Sequence, residues 1–192
     1  MDALEMFLYR HARLHSHVDR LLQGLRDQEI RNPAHPGTNS LAWLVWHMAR
    51  SEDATVSLLI GDVPQLLDDD WASRMNVAQR GVGTGMTAAE VMNVSANVHL
   101  PSLMAYWQAV GGHTRHAVQS LGAPELDQVV DRDQVHAAVE AMVTGTVATQ
   151  LEAHFKDTSR GQFLVWLPLT HNYEHLGQAD LIRGILGHPG NI

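Results

Sequence analysis

In the C-terminal run LTHNYEHLGQADLIRGILG, His171 and His175 stand four residues apart, and a third histidine, His47, sits in LAWLVWHMAR. Four-residue spacing on a helix stacks two imidazoles on one face. A neighbouring helix can then supply the third. Three neutral imidazoles around a divalent ion, with a position left open for water or substrate, form a standard reactive metal centre. Gln178 follows His175 by about one turn, so its amide can orient a ring or a bound water. Two histidines at this spacing also occur by chance, and a hydrogen-bonded pair in a polar core needs no ion. His11 and His15 repeat the spacing on the apolar face of the first helix. They could line the same cavity, donate a supporting hydrogen bond, or be ordinary core-edge histidines. His99, His113, His116, His136 and His154 lack such pairing, and His35 and His188 lie in loop-like ends, so these read as structural or solvent-facing.

Other chemistries find less support. The chain has no cysteine, which excludes disulfides, thiolate catalysis and Cys-ligated metals. Ser51 and Asp53 lie beside His47 on one helix, and no GxSxG elbow accompanies them. Gly81, Gly83 and Gly85 follow no strand and match no phosphate-cradling loop. HNYEH places its acid at the wrong position for the HExxH peptidase motif, and Glu174 projects away from His175. Glu52 and Asp53 are five and six residues after His47, off its face, and read as solvated or supporting groups. Thirteen basic against 21 acidic residues give a net charge of -8, which argues against nucleic-acid or anionic-membrane partners.

The elements that must carry these side chains are helical. At 192 residues and 45% hydrophobic, the chain suits one domain, 1–192. No apolar run approaches the ~20 residues of a membrane span. The N-terminal MDALEMFLYRHARLHSHVDR, with early acids and no uninterrupted apolar stretch, is unlike a signal peptide. A cytoplasmic location fits. Leu4, Phe7, Leu8, His11, Leu14, Val18, Leu22 and Leu25 predict a helix from about Ala3 to Leu25. Asn39 or Ser40 caps a second helix to about Ile60, apolar nearly all round and therefore central. Residues 63–85 lack periodicity and predict a long connection with one short helix. Thr87 and Glu90 form a capping box for a third helix, which runs towards Ala109 or Leu121 past a kink at Pro101 and a weak point at Gly111-Gly112. Asp131 with Gln134 starts an additional helix to about Phe155. The last runs from Gly161 to Leu186, with a kink or fresh start at Pro168 and a stop at Gly187 with Pro189 beyond it. On it Phe163, Leu167, His171, His175, Gln178, Ile182 and Ile185 share a face. Trp43, Trp46, Trp107 and Trp166 read as core or helix-interface residues. Trp71, after the acidic run 68–70, reads as a pocket lid or a loop anchor. The sum is an all-α helical bundle.

The His47 segment and the ending HNYEHLGQADLIRGILG resemble the DinB-like superfamily (the DinB/YfiT type), and the likeness covers nearly the whole chain. That resemblance implies a four-helix bundle, up-down-down-up, here with an additional short helix at about 134–155. It also implies a divalent metal on His47, His171 and His175, zinc or nickel by ligand chemistry, and a homodimer in many members. Relatives include transferases that use low-molecular-weight thiols such as bacillithiol or mycothiol, and a maleylpyruvate isomerase. The expectation is therefore a divalent-metal-dependent enzyme on a small-molecule substrate, a transferase with a low-molecular-weight thiol cosubstrate or a hydrolase. Its catalytic set would be His47, His171, His175 and Gln178, and its ion would polarise the substrate or lower the pKa of a thiol or water. Tyr173, His11 or His15 could assist proton movement. The alternatives are a non-catalytic metal-binding or stress-response bundle, and a ligand-binding or structural dimer that holds no metal.

Overall fold

The structure, a computed structural model, describes residues 1–188, so the expected Pro189 stop lies outside the described residues. Ten helices follow in order: α1 (Ala3–Leu21), α2 (Asp27–Arg31), α3 (41–61), α4 (Asp69–Met75), α5 (Ala88–Asn97), α6 (Leu100–Gln119), α7 (Ala123–Leu126), α8 (Arg132–Met142), α9 (Thr146–Phe155) and α10 (160–185). Two of them change pitch along their length. In α3, α-helical Leu41–Thr55 continues as π-helical Val56–Gly61. In α10, π-helical Trp166–His171 joins Arg160–Val165 to Asn172–Ile185. The only strand-like pairing among the described residues is one bridge, Val129 with Ser159.

The fold is all-α, but the expectation of a four-helix bundle with one added short helix is wrong. Six short helices accompany the long ones. The four long helices α1, α6, α3 and α10 pack in a closed cycle, each against the next. Asp2 and Glu5 cap α1 reciprocally, and the Ser40 hydroxyl accepts from the Trp43 amide to start α3. The expected third helix is two, α5 and α6. Pro101 falls in the first turn of α6, where its missing N–H costs nothing, and the His99 amide at the break donates to the Met75 carbonyl. The additional helix is also two. Gly145, at φ +71°, turns the chain between α8 and α9.

Pro168 accounts for the change of pitch in α10. It has no amide to donate, and the chain absorbs the gap by widening one turn. That turn holds one residue more than an α turn, which rotates everything beyond it by roughly 100°. The buried stripe after it is therefore Asn172, Leu176, Ala179, Ile182 and Arg183. The expected face is corrected accordingly: Gln178 and Ile185 are exposed, and His171 and His175 sit at the stripe's edge.

Every residue of Leu41–Thr55 is buried, which makes α3 the central element. One apolar cluster gathers around Trp46, Trp107, Leu14 and Leu44, and a second around Phe155, Phe163, Val139 and Leu59. Arg50, 1% exposed, donates to Asp53 (2.8 Å), the Tyr106 hydroxyl (2.8 Å), Gln65 (2.6 Å) and the Arg80 carbonyl (2.8 Å). Asp53 in turn accepts from the Leu66 and Leu67 amides. This pair straps the connection 62–81 onto α3, so Asp53 is a buried clasp rather than a solvated acid. Trp71 lies tilted against Tyr106, with ring centroids 5.3 Å apart, and carries Arg74 on its face, which makes it a loop anchor.

The Gly111-Gly112 weak point is no break. A Cβ on Gly111 would stand 2.5 Å from the His15 ring, so this glycine lets the two helices close over that imidazole. Gly111→Ala is expected to destabilise by about 1–3 kcal/mol through overpacking. Gly112→Ala, whose Cβ would meet only Arg115 at 3.8 Å, should stabilise by about 0.5–1 kcal/mol. Urea midpoints of the two variants read this directly, and shifts of the same sign would contradict the packing account.

Candidate metal centre

His47 projects from the middle of α3 and is 4% exposed; His171 and His175 project from α10 on either side of its return to α-helical pitch. The Nε2 atoms of His47 and His171 are 3.1 Å apart, and those of His171 and His175 are also 3.1 Å apart. Each ring is held from behind. The His47 Nδ1–H donates to the Val82 carbonyl at 2.6 Å, and the His175 Nδ1–H donates to Gln178 Oε1 at 3.0 Å. Behind His171, Asn172 Nδ2 donates to the Glu52 carboxylate at 3.0 Å, which turns Asn172 Oδ1 towards the His171 Nδ1–H at 3.3 Å. With all three Nδ1 positions protonated, three Nε2 lone pairs face one another.

Protons do not relieve that repulsion. Burial first, then the neighbouring His171 and His175 rings, push His47 down to about 3, against the opposing pull of the Val82 carbonyl. Burial and His175 push His171 down to about 4 in spite of Asn172. A divalent cation answers the arrangement. Imidazole nitrogens bound tetrahedrally at ~2.0–2.1 Å stand about 3.3 Å from one another, close to the spacing here.

The segment that brings Val82 to His47 explains the glycines of the long connection. Gly83, at φ +97°, lies so close to the indole of Trp46 that a Cβ would come within 2.6 Å of it. The Val82 amide is tied to the Met142 carbonyl at 2.9 Å. Trp43 stacks on the outer face of His47, 4.7 Å between centroids.

A second group with metal-ligand chemistry is His11, His15 and Glu52; in both groups the ligand atoms lie within 4.8 Å of one another. Hydrogen bonds already close this one. His11 Nε2–H donates to Glu52 Oε1 at 2.7 Å, His15 Nε2–H reaches both carboxylate oxygens at 3.2 Å, and Thr114 donates at 2.6 Å. With Asn172 these donors engage both oxygens. His11 Nδ1 is sealed with no acceptor behind it, unlike a metal-bound histidine. Burial alone would raise the Glu52 carboxyl, but the charges and hydrogen bonds of His15 and His11 outweigh it and hold the group below the usual carboxylate range. His11 and His15 therefore secure the anion that secures Asn172, and neither lines the cleft in front of the triad. Tyr173 is also elsewhere, donating to the Arg10 carbonyl at 3.0 Å.

Sequence reasoning missed Asn172 and the Val82 carbonyl, and of its two readings of Glu52, solvated or supporting, the second is the one found. An acid on the central helix, with a histidine pair on the apolar face of the first helix able to reach it, was the available signal for Glu52. The cleft before the triad measures about 480 Å³. Another of about 610 Å³ lies between α8 and α9 and touches none of the three histidines.

The sequence profile of the DinB superfamily matches residues 10–179. The chain belongs to the DinB superfamily. The match includes all three histidines and Gln178. The crystal structure of a conserved protein from Enterococcus faecalis is similar over 97% of this chain and 99% of that one, with a TM-score of 0.72 and 19% identity, a likeness of fold. No curated protein matches the chain significantly.

In an unfolded chain the His47 and His171 rings titrate near 6.5. As pH falls from about 6.5 towards 4, the unfolded chain takes up protons that the folded, metal-free chain refuses. The metal-free protein should lose stability across that window, by up to about 1.4 kcal/mol per pH unit for each ring. Urea unfolding after chelator treatment measures this, and His47→Asn should flatten the dependence. An identical slope in parent and variant would refute the assignment.

Proposed function

We propose that this protein is a divalent-metal-dependent enzyme acting on a small molecule, with the ion held by His47, His171 and His175 and with Gln178 orienting His175. The reading rests above all on the convergence of three Nε2 atoms, that of His171 lying 3.1 Å from each of the other two, each on a ring whose Nδ1 is tied to an acceptor. Zinc or nickel suits three imidazoles. A divalent ion bound there supplies a Lewis acid that lowers the pKa of a thiol or water, or polarises a carbonyl. Transfer of a thiol supplied by a cosubstrate, and hydrolysis, are the two reactions put forward. The absence of cysteine is compatible with both, since the chain brings no thiol of its own.

The cleft favours catalysis over a purely structural ion. A structural site is closed by its ligands, whereas these rings face a cavity of about 480 Å³. The proposal also takes 1–192 as one domain working in the cytoplasm as a homodimer. Among the described residues no helix is long and apolar enough to cross a membrane. Met6 and Tyr9, exposed on α1, offer apolar surface to a twofold partner.

Protein purified without a histidine tag should carry about one divalent ion per chain by elemental analysis. His175→Ala should lose that ion yet keep its far-UV circular dichroism, because alanine favours helix. Gln178→Ala should weaken metal binding or turnover by roughly 10–100-fold. Full metal occupancy in His175→Ala would remove the proposed centre. A screen with and without added thiols separates the two reactions.

A further inference from the structure

The walls of the cleft carry more information than its volume. They comprise Trp43, Met86, Met142, Phe155 and Trp166 among other apolar side chains, with no aspartate, glutamate, lysine or arginine among them. Nothing in the lining neutralises a carboxylate, a phosphate or an ammonium group. The one positive charge a ligand could meet is that of an ion at the three neutral imidazoles, at one end. A charged group anywhere else would lose its hydration against indole, phenyl and thioether surface without a partner, which costs several kcal/mol.

Two buried hydroxyls in this lining, those of Ser51 and Thr55, have no hydrogen-bond partner among the described residues, and Thr55 Oγ1 is fully enclosed. Ser51 follows His47 by one helical turn, is 4% exposed, lines the cleft and has no hydrogen-bond partner among the described residues. A helical serine commonly bonds the carbonyl four residues back, and Ser51 does not. His47, Ser51 and Thr55 thus form a stripe along α3, three successive turns on one wall.

We infer that the cleft takes a small molecule with a single polar or anionic head at the three histidines and an uncharged, largely apolar body of aromatic size, one neutral polar substituent of which meets the Ser51 hydroxyl. Polyhydroxylated or polyanionic thiols do not match such walls. On this inference a thiol cosubstrate would be a compact apolar one, and a hydrolytic substrate would be a neutral aryl or alkyl compound. The inference rests on the metal reading of the triad.

The test uses full-length protein with its zinc content measured, and titrates it calorimetrically with three hydroxamic acids that share one metal-binding head. Benzohydroxamic acid should bind at least tenfold more tightly than acetohydroxamic acid, because its ring is buried. It should also bind at least tenfold more tightly than 4-carboxybenzohydroxamic acid, whose carboxylate has no partner. Equal or tighter binding of the carboxylated probe, or no gain from the ring, overturns the inference while measured zinc keeps the metal reading intact. Failure to take up zinc overturns the metal reading itself, and the inference with it. Among benzohydroxamic acids bearing a methoxy group at each ring position in turn, at least one should lose five- to tenfold affinity in Ser51→Ala. If none does, Ser51 has no part in recognition.

Discussion

Three imidazole lone pairs turned inward, with His171 Nε2 3.1 Å from those of both His47 and His175, are an arrangement that a protein does not keep without a reason. Each ring could relieve the repulsion by turning, but each is fixed through its other nitrogen: to a main-chain carbonyl, to a buried asparagine and to a glutamine. Burial withholds the alternative remedy, since protonating His47 or His171 would place a charge in an apolar surrounding. A divalent ion would answer all three rings together. Much of the surrounding structure follows from holding that convergence in place.

The support reaches well beyond the rings. Glu52, fully buried on α3, gathers α1 through His11 and His15, α6 through Thr114 and α10 through Asn172. One anion thus ties the four long helices together and orients the ring of His171. A buried carboxylate is tolerable only with its lone pairs engaged, and here donors from three helices engage them. The His15 ring that completes this group stacks on Trp107 at 3.8 Å and occupies the space that Gly111 leaves open. On the other side of α3, the glycine-rich segment at 81–85 lies against Trp43 and Trp46 and presents the Val82 carbonyl. Packing and chemistry meet in the same residues.

How much of this the sequence revealed depends on the range of the interaction. The four-residue spacing of His171 and His175 and the apolar run around His47 mark the triad because helical periodicity is local. The central place of α3 was legible for the same reason. The face of α10 was not. One widened turn at Pro168 shifts the register by a residue, so a count at 3.6 residues per turn puts Ile185 inside and leaves Asn172 out. Glu52 was left between a solvated and a supporting role because its partners come from α1, α6 and α10, at separations of 37 to 120 residues. The short helix expected within 63–85 is α4, whereas α2 and α7 are set by caps and tertiary contacts and leave little periodic trace, so the layers around the long helices were undercounted. Gly83 looked like loop punctuation, whereas its lack of a side chain permits contact with an indole.

Anomalous diffraction from crystals of the protein reconstituted with zinc or nickel, recorded on both sides of the metal's absorption edge, tests the central claim most directly. The account predicts one strong peak per chain, about 2.0–2.1 Å from the Nε2 atoms of His47, His171 and His175. A peak at His11, His15 and Glu52 in place of that one, or no peak at the triad from protein saturated with metal, would contradict it.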